Sequence, residues 1–266
     1  MERRYICALI TGASAGLGEE FTKQLLGRAD QFILVARRLD RIERMAHEIR
    51  KSHPQTEVLV IEADLSDPES RVLLGEKIQD RGWIPDLLIN NAGLGDYGEF
   101  VTADWSLINR ILRVNIEALT HLTHLFAPGM VARGRGWILN VSSLASTLAI
   151  PDFAAYAASK AYVSSFSEAL RIELEDSGVE VMSLCPGPVK TEFGEVARRE
   201  GASSDRSSVR RFFYVGKQRV VSEALAGLEK GRVRVFPGMQ IAMAGWFFGI
   251  IPLFVMRLIM RRRPRR

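Results

Sequence analysis

The chain has 266 residues, 47% apolar and 25% charged, a globular composition long enough for one large α/β core. Its net charge of +5 belongs to the end of the chain, where Arg257, Arg261, Arg262, Arg263, Arg265 and Arg266 carry six positive charges and leave residues 1–256 near −1. The basicity is therefore a property of the tail and gives no ground for a nucleic-acid face on the body, so no nucleic-acid partner is expected.

Residues 6–10 form a short apolar run with β-branched ends, which predicts a strand buried on both faces and is too short for a signal-peptide core. Gly12, Gly16 and Gly18 follow, with Leu17 in the same turn, and a helix is predicted over 19–28. Glycines there let the backbone turn tightly and approach a pyrophosphate, while free N–H groups and the helix dipole face the anion. The spacing G-x-x-x-G-x-G departs from the common G-x-G-x-x-G, so the turn alone leaves a plain glycine-rich loop open. A second strand over 31–35 ends in Ala36-Arg37-Arg38, with the first acid only at Asp40. A carboxylate at this point binds ribose hydroxyls, whereas a guanidinium accommodates a 2′-phosphate. Arg37 and Arg38, with a hydroxyl from Ser14, therefore point to NADP(H) as cofactor over NAD(H).

A charged helix over 40–51 leads to a third strand, 57–61, and to Asp64-Leu65, where Asp64 either accepts from an adenine amino group or caps the next helix. The fourth strand, 86–90, ends in Asn90-Asn91-Ala92-Gly93, small and amide residues suited to close approach of a ribose. The helix over 105–126 carries Asn115; His121 and His124 lie three apart on it without a third ligand nearby, so no metal is expected. The fifth strand, 137–141, ends in Ser142-Ser143, and a helix over 155–176 carries Tyr156 and Lys160. Positions i and i+4 share a helix face, so phenol and ammonium point into one space.

Strand six, 179–184, runs into a turn stiffened by Pro186, Gly187 and Pro188, followed by Val189 and Thr191, the last placed for a nicotinamide carboxamide. Residues 192–211 are polar, serine-rich, basic and aperiodic, Phe212-Phe213-Tyr214 return to apolar character, and 192–214 read as a lid over the substrate. A helix near 222–229 and a strand near 232–236 bring the sheet to seven strands. Strand and helix patterns alternate throughout, which predicts a doubly wound parallel α/β sheet with helices on both faces over residues 1–238. Cys7 and Cys185 are too few for a disulfide framework and read as reduced, buried thiols in a cytoplasmic protein.

Thr11-Gly12-(x)3-Gly16-x-Gly18, Asn90-Asn91-Ala92-Gly93, Asn115, Ser143, Tyr156-(x)3-Lys160 and Pro186-Gly187 stand in the order seen in short-chain dehydrogenases/reductases. Across residues 5–236 the chain resembles the compact single-domain branch of that family. The resemblance implies a seven-stranded Rossmann fold, catalysis by Ser143, Tyr156 and Lys160 with Asn115, and a homodimer or homotetramer. It also implies that Asn115 holds a water linking Lys160 to solvent, and it favours Ser143 over Ser142, because Ser143 stands thirteen residues before Tyr156.

Reducing a carbonyl needs a hydride on carbon and a proton on oxygen. A free tyrosine, with pKa about 10, exchanges protons poorly at neutral pH. Lys160⁺, helped by an oxidised nicotinamide, is expected to favour phenolate; a pKa of about 7 takes roughly 4 kcal/mol of differential stabilisation. Ser143 is expected to hydrogen-bond the substrate oxygen as charge develops. These residues describe an NADP(H)-dependent oxidoreductase interconverting a carbonyl and a secondary alcohol on a small lipophilic substrate. The alternatives are a 3-oxoacyl-thioester reductase, whose acidic carrier or coenzyme A phosphate would meet the basic lid, and an NADP-binding sensor or scaffold, whose catalytic set would be broken.

Residues 235–256 carry no charge and precede the arginine cluster. Pro237-Gly238 and Pro252 shorten any helix in this stretch, and a span would place the arginines across the membrane from the catalytic body. Leu253, Phe254, Met256, Leu258 and Ile259 form an apolar face beside Arg257 and Arg261, which suits lying among anionic headgroups. Residues 239–266 are thus read as a hydrophobic, arginine-rich tail in peripheral contact with the cytoplasmic side of a membrane. A true span, or packing on the protein's own subunits, is the alternative.

Overall fold

The computed structural model describes residues 4–199, 214–252, 254–255 and 257–258. Seven strands, β1 Tyr5–Thr11, β2 Ala29–Ala36, β3 Glu57–Glu62, β4 Leu87–Asn90, β5 Gly136–Val141, β6 Val179–Leu184 and β7 Arg234–Val235, make one sheet. They are all parallel, in the order β3-β2-β1-β4-β5-β6-β7. The order reverses between β1 and β4, which opens a crevice at the carboxyl ends of the strands.

Side chains alternate across β1 and so feed two cores. Ala8 and Ile10 point to the layer of α1 Gly16–Leu25, α2 Leu39–Ser52 and α8 Lys217–Glu229, packing with Phe21, Ile42 and Leu225. Cys7 and Leu9 point to the layer of α3 Pro68–Asp80 and α5 Leu119–Ala132, packing with Leu74, Ile78, Leu122 and Phe126. Burial on both faces explains why the strands read as continuous apolar runs. Both cysteines are buried and unpaired.

Differences from the expected elements lie at their ends and in the middle of the helix expected over 105–126. The helix α4 Trp105–Leu112 passes through a π-turn, Arg113–Ala118, into α5, which continues through Pro128 to Ala132. The helix α6 Ala154–Glu173 stops three residues early because its last turn tightens into a 3₁₀ turn, Glu175–Ser177. β7 contains only Arg234 and Val235, paired with Ser183 and Leu184. In the predicted lid the structure shows a short helix, α7 Phe193–Val196, and parallel bridges Tyr97 to Arg198 and Val189 to Val215; residues 200–213 lie outside the described residues.

The tail begins with α9 Met239–Ile250, which ends two residues before Pro252. Ile241 is fully buried in the main core, and Gly245 sits against the ring of Phe236. Among the described residues no helix is long and apolar enough to cross a membrane. Of the expected apolar face, Leu253, Met256 and Ile259 lie outside the described residues, whereas Phe254 and Leu258 are exposed.

Candidate active site

The crevice is built from the glycine turn outward. Gly12 and Gly16 have φ of +65° and +62°, a left-handed backbone that side chains resist. A Cβ on Gly18 would lie 2.3 Å from the carbonyl oxygen of Gly12, so α1 approaches the turn as only glycine allows. Thr11 Oγ1 accepts from the backbone N–H of Asn91 and of Ala92, each at 3.0 Å, and Asn91 Nδ2 donates to Thr11 O at 2.9 Å. The Asn91 amide therefore ties the end of β4 to the glycine turn, while Asn91, Ala92 and Gly93 all border the crevice.

A cavity of about 660 Å³ runs across the ends of the strands. It is lined by Gly12, Ser14, Gly16, Leu17, Arg37, Arg38, Asp64, Leu65, Asn91, Ala92, Gly93, Ser143, Tyr156, Lys160, Pro186, Gly187, Val189 and Thr191. Of the expected site residues, Gly18 and Asn115 do not line it: Gly18 packs beneath the turn, and Asn115 stands behind Gly93 and Leu94. Size, glycine cradle and paired arginines fit a dinucleotide laid from the end of β2 to the end of β5.

On the β2 side, Arg38 Nε and Nη2 reach Ser14 Oγ at 3.3 and 3.2 Å. Asp64 accepts from Ser66 N at 2.9 Å and Ser66 Oγ at 2.7 Å. Burial alone would raise its carboxyl, but those bonds, with Arg37 and Arg110 nearby, hold it below the usual carboxylate range. It does not cap the next helix; Asp67 does, accepting from Glu69 N and Ser70 N.

On the β5 side, Tyr156 and Lys160 rise from α6 into the crevice, both buried. Burial pushes the Tyr156 phenol up to about 12, and a hydrogen bond with Ser143 offsets this only in part. Burial also pulls the Lys160 ammonium down to about 8. Its Nζ donates to the carbonyl oxygen of Val141 at 2.8 Å and lies 5.8 Å from the centre of the Tyr156 ring. Among the chain's own groups burial outweighs the expected lowering of the phenol by Lys160, because the ammonium is bonded to the main chain of β5. Ser143 Oγ faces the cavity and accepts from Ala145 N at 3.1 Å. Ser142 instead turns inward, donating to Lys160 O at 2.8 Å and pairing with Ser164 Oγ at 2.8 Å.

Asn115 sits in the π-turn, an element that often marks a functional site. Its Oδ1 accepts from Leu94 N at 2.8 Å, while Nδ2 donates to Leu94 O and to Ser159 Oγ, both at 2.9 Å. These bonds fix the loop after β4 against α6. The histidines of α5 do not converge on a ligand: His121 Nδ1 accepts from Arg71, and among the described residues no group of three His, Cys, Asp or Glu side chains gathers as a metal site.

Sequence reasoning missed the apolar wall beside Tyr156. Phe153 stacks on its ring with centroids 4.2 Å apart, and Phe193 lies 5.6 Å away. Ile150 packs against the same cluster, and Leu94, Val114 and Leu148 add apolar lining to the cavity. They come from four separate segments with no common spacing, so only the fold reveals the set.

Comparison with known proteins agrees with this architecture. The family model described as short chain dehydrogenase matches residues 6–201. The very-long-chain 3-oxoacyl-CoA reductase of Anas platyrhynchos is 30% identical over 262 residues, covering 96% of this chain and 78% of that one. The protein of the same description from Rattus norvegicus is 29% identical over 196 residues, covering 72% of this chain and 62% of that one, so the match spans under two thirds of the rat protein. A solved short-chain dehydrogenase from Sphingobium yanoikuyae, in complex with NADPH, superposes with a TM-score of 0.79 at 27% identity, over 98% of this chain and 97% of that one. A family match over most of the chain, on a fold that the Sphingobium structure shares almost end to end, makes this protein a member of the short-chain dehydrogenase/reductase family and, by that membership, an oxidoreductase.

Proposed function

We propose that the protein is an NADP(H)-dependent oxidoreductase that interconverts a carbonyl and a secondary alcohol on a lipophilic substrate. The observation that carries this reading is one cavity with two chemistries: Ser14, Arg37 and Arg38 beside β2, and Ser143, Tyr156 and Lys160 beside β5 under an apolar wall. A guanidinium pair, Arg37 and Arg38, with no acidic residue in the chain between β2 and Asp40 favours a 2′-phosphate, and the Sphingobium relative is itself solved with NADPH.

When bound, the nicotinamide coenzyme supplies or takes up the hydride. Tyr156 holds a proton at its phenol oxygen for the substrate oxygen, and its raised pKa keeps that proton in place at neutral pH. Ser143 Oγ steadies the same oxygen as charge develops on it. Lys160 supplies positive charge from below, and Asn115 fixes Leu94 beside the cavity. The apolar wall excludes water and selects a substrate with an aliphatic or ring body. A 3-oxoacyl thioester is the second reading, favoured by the activity for which the Anas and Rattus relatives are named.

The reading includes a homodimer or homotetramer, carried over from the family resemblance, and peripheral membrane contact through the tail. Met239, Met243, Trp246, Phe247 and Ile250 recur at helical spacing along α9 and are 57–74% exposed. The twelve residues of α9 reach about 18 Å, short of a bilayer core of about 30 Å, so they favour lying in the interface with the arginines against anionic headgroups.

The deciding experiment is Tyr156→Phe. We expect turnover of lipophilic ketones with NADPH to fall at least about 10²-fold while NADPH affinity is unchanged. Turnover close to the parent protein overturns the mechanism.

A further inference from the structure

Glu192, the residue after Thr191, has no part in the chemistry above, yet its carboxylate is the anion of the arginine cradle. Oε2 accepts from Arg38 Nη1 at 2.8 Å and Oε1 from Arg41 Nη1 at 2.7 Å. Arg38 is the same side chain that holds Ser14 beside the glycine turn. One carboxylate thus joins two guanidiniums at the end of β2, using donors that a phosphate would use. Hydrogen bonds from Arg41 and Arg38 hold its carboxyl below the usual range, so it is an anion at neutral pH.

Glu192 also begins a strap. Phe193 follows it at once and packs beside Tyr156, and Gly95 leaves room for that ring, since a Cβ there would meet Phe193 Cζ at 2.9 Å. At the other end Arg199 grips Asp96 with two bonds, Nε to Oδ1 at 2.8 Å and Nη2 to Oδ2 at 2.6 Å. Residues 192–199 are therefore tied at one end to the adenosine side of the crevice and at the other to the loop after β4, with Phe193 between.

We infer that Glu192 is a coenzyme-specificity residue: it is the internal counter-ion of the 2′-phosphate site, and a 2′-phosphorylated coenzyme displaces it from Arg38 and Arg41 and frees that end of the strap beside Tyr156. An unphosphorylated coenzyme leaves the tie in place. The inference rests on the NADP(H) reading. The exchange is favoured by charge, because a phosphate monoester carries close to two negative charges against one on the carboxylate.

The test compares 2′,5′-ADP with 5′-ADP, which lack the nicotinamide and any turnover, by titration calorimetry on the full chain and on Glu192→Gln. Removing the competing anion is expected to tighten 2′,5′-ADP about tenfold and leave 5′-ADP unchanged. In the parent protein 2′,5′-ADP, but not 5′-ADP, is expected to speed amide hydrogen exchange across 193–199. If Glu192→Gln binds 2′,5′-ADP equally or more weakly, or if both nucleotides leave exchange across 193–199 alike, the role assigned to Glu192 is wrong. A parent protein that does not prefer 2′,5′-ADP removes the NADP(H) reading and this inference together. A clear preference that Glu192→Gln does not alter removes this inference alone.

Discussion

Lys160 is bonded through its ammonium to the carbonyl oxygen of Val141, 2.8 Å away at the end of β5, in a position where burial pulls its pKa down to about 8. The helix bearing Tyr156 is thereby fastened to the strand that leads into Ser143, and the fastening group is itself titratable. Between pH 8 and the ordinary lysine value of 10.5 the unfolded chain binds this proton and the folded chain does not, so stability rises with pH across that window.

The activity consequence has the opposite sign. Tyr156, pushed up to about 12, keeps its proton throughout, so ketone reduction is expected to fall as pH rises through about 8 because Lys160 loses its charge. Lys160→Met is expected to lower turnover and to abolish that step. A pH–rate profile that keeps the step in Lys160→Met rules out Lys160 as its origin.

Ser143 and Ser142 are neighbours with opposite orientations, and their alanine variants should separate accordingly. Ser143→Ala is expected to lose about 10²-fold in kcat with little change in Tm. Ser142→Ala removes the buried hydrogen bonds to the Lys160 carbonyl and to Ser164 Oγ, so it is expected to cost about 1–2 kcal/mol of stability. Steady-state kinetics beside thermal melts read both effects; equal kcat losses would assign the two hydroxyls the same role.

Gly18→Ala puts a methyl 2.3 Å from Gly12 O and 2.7 Å from Asn91 Nδ2. The turn must move, and a loss of about 1–3 kcal/mol is expected together with weaker NADPH binding. Gly249→Ala, where nothing lies within 4 Å and which does not line the cavity, is the control and is expected to leave both unchanged. Melting curves and NADPH titrations that fail to distinguish the two variants would show that the close approach of α1 is not required.

The membrane reading is best tested without deleting α9, because Ile241 belongs to the core. Trp246→Ser with Phe247→Ser alters only exposed side chains and is expected to lower binding to vesicles containing anionic lipid by at least about tenfold, with Tm retained. Vesicle co-sedimentation that the double variant leaves unchanged, or a parent protein that does not bind vesicles, sets this reading aside.

Local chemistry made much of the molecule legible in the sequence alone. Strands buried on both faces must be apolar along their length, the glycine turn must lack side chains where the backbone approaches itself, and Tyr156 and Lys160 must share a face because they are four apart on a helix. These are constraints between residues close in the chain, so the doubly wound sheet, and many of the residues that border the cavity, could be written before any coordinates. What only the tertiary structure decided joins distant segments. Asn91 serves Thr11, Asn115 serves Leu94, Glu192 occupies Arg38 and Arg41, and Phe153 and Phe193 wall the Tyr156 ring. No periodicity records such partners, because hydrogen-bond donors and ring faces are matched across the crevice by the packing of the sheet and not by their order in the chain.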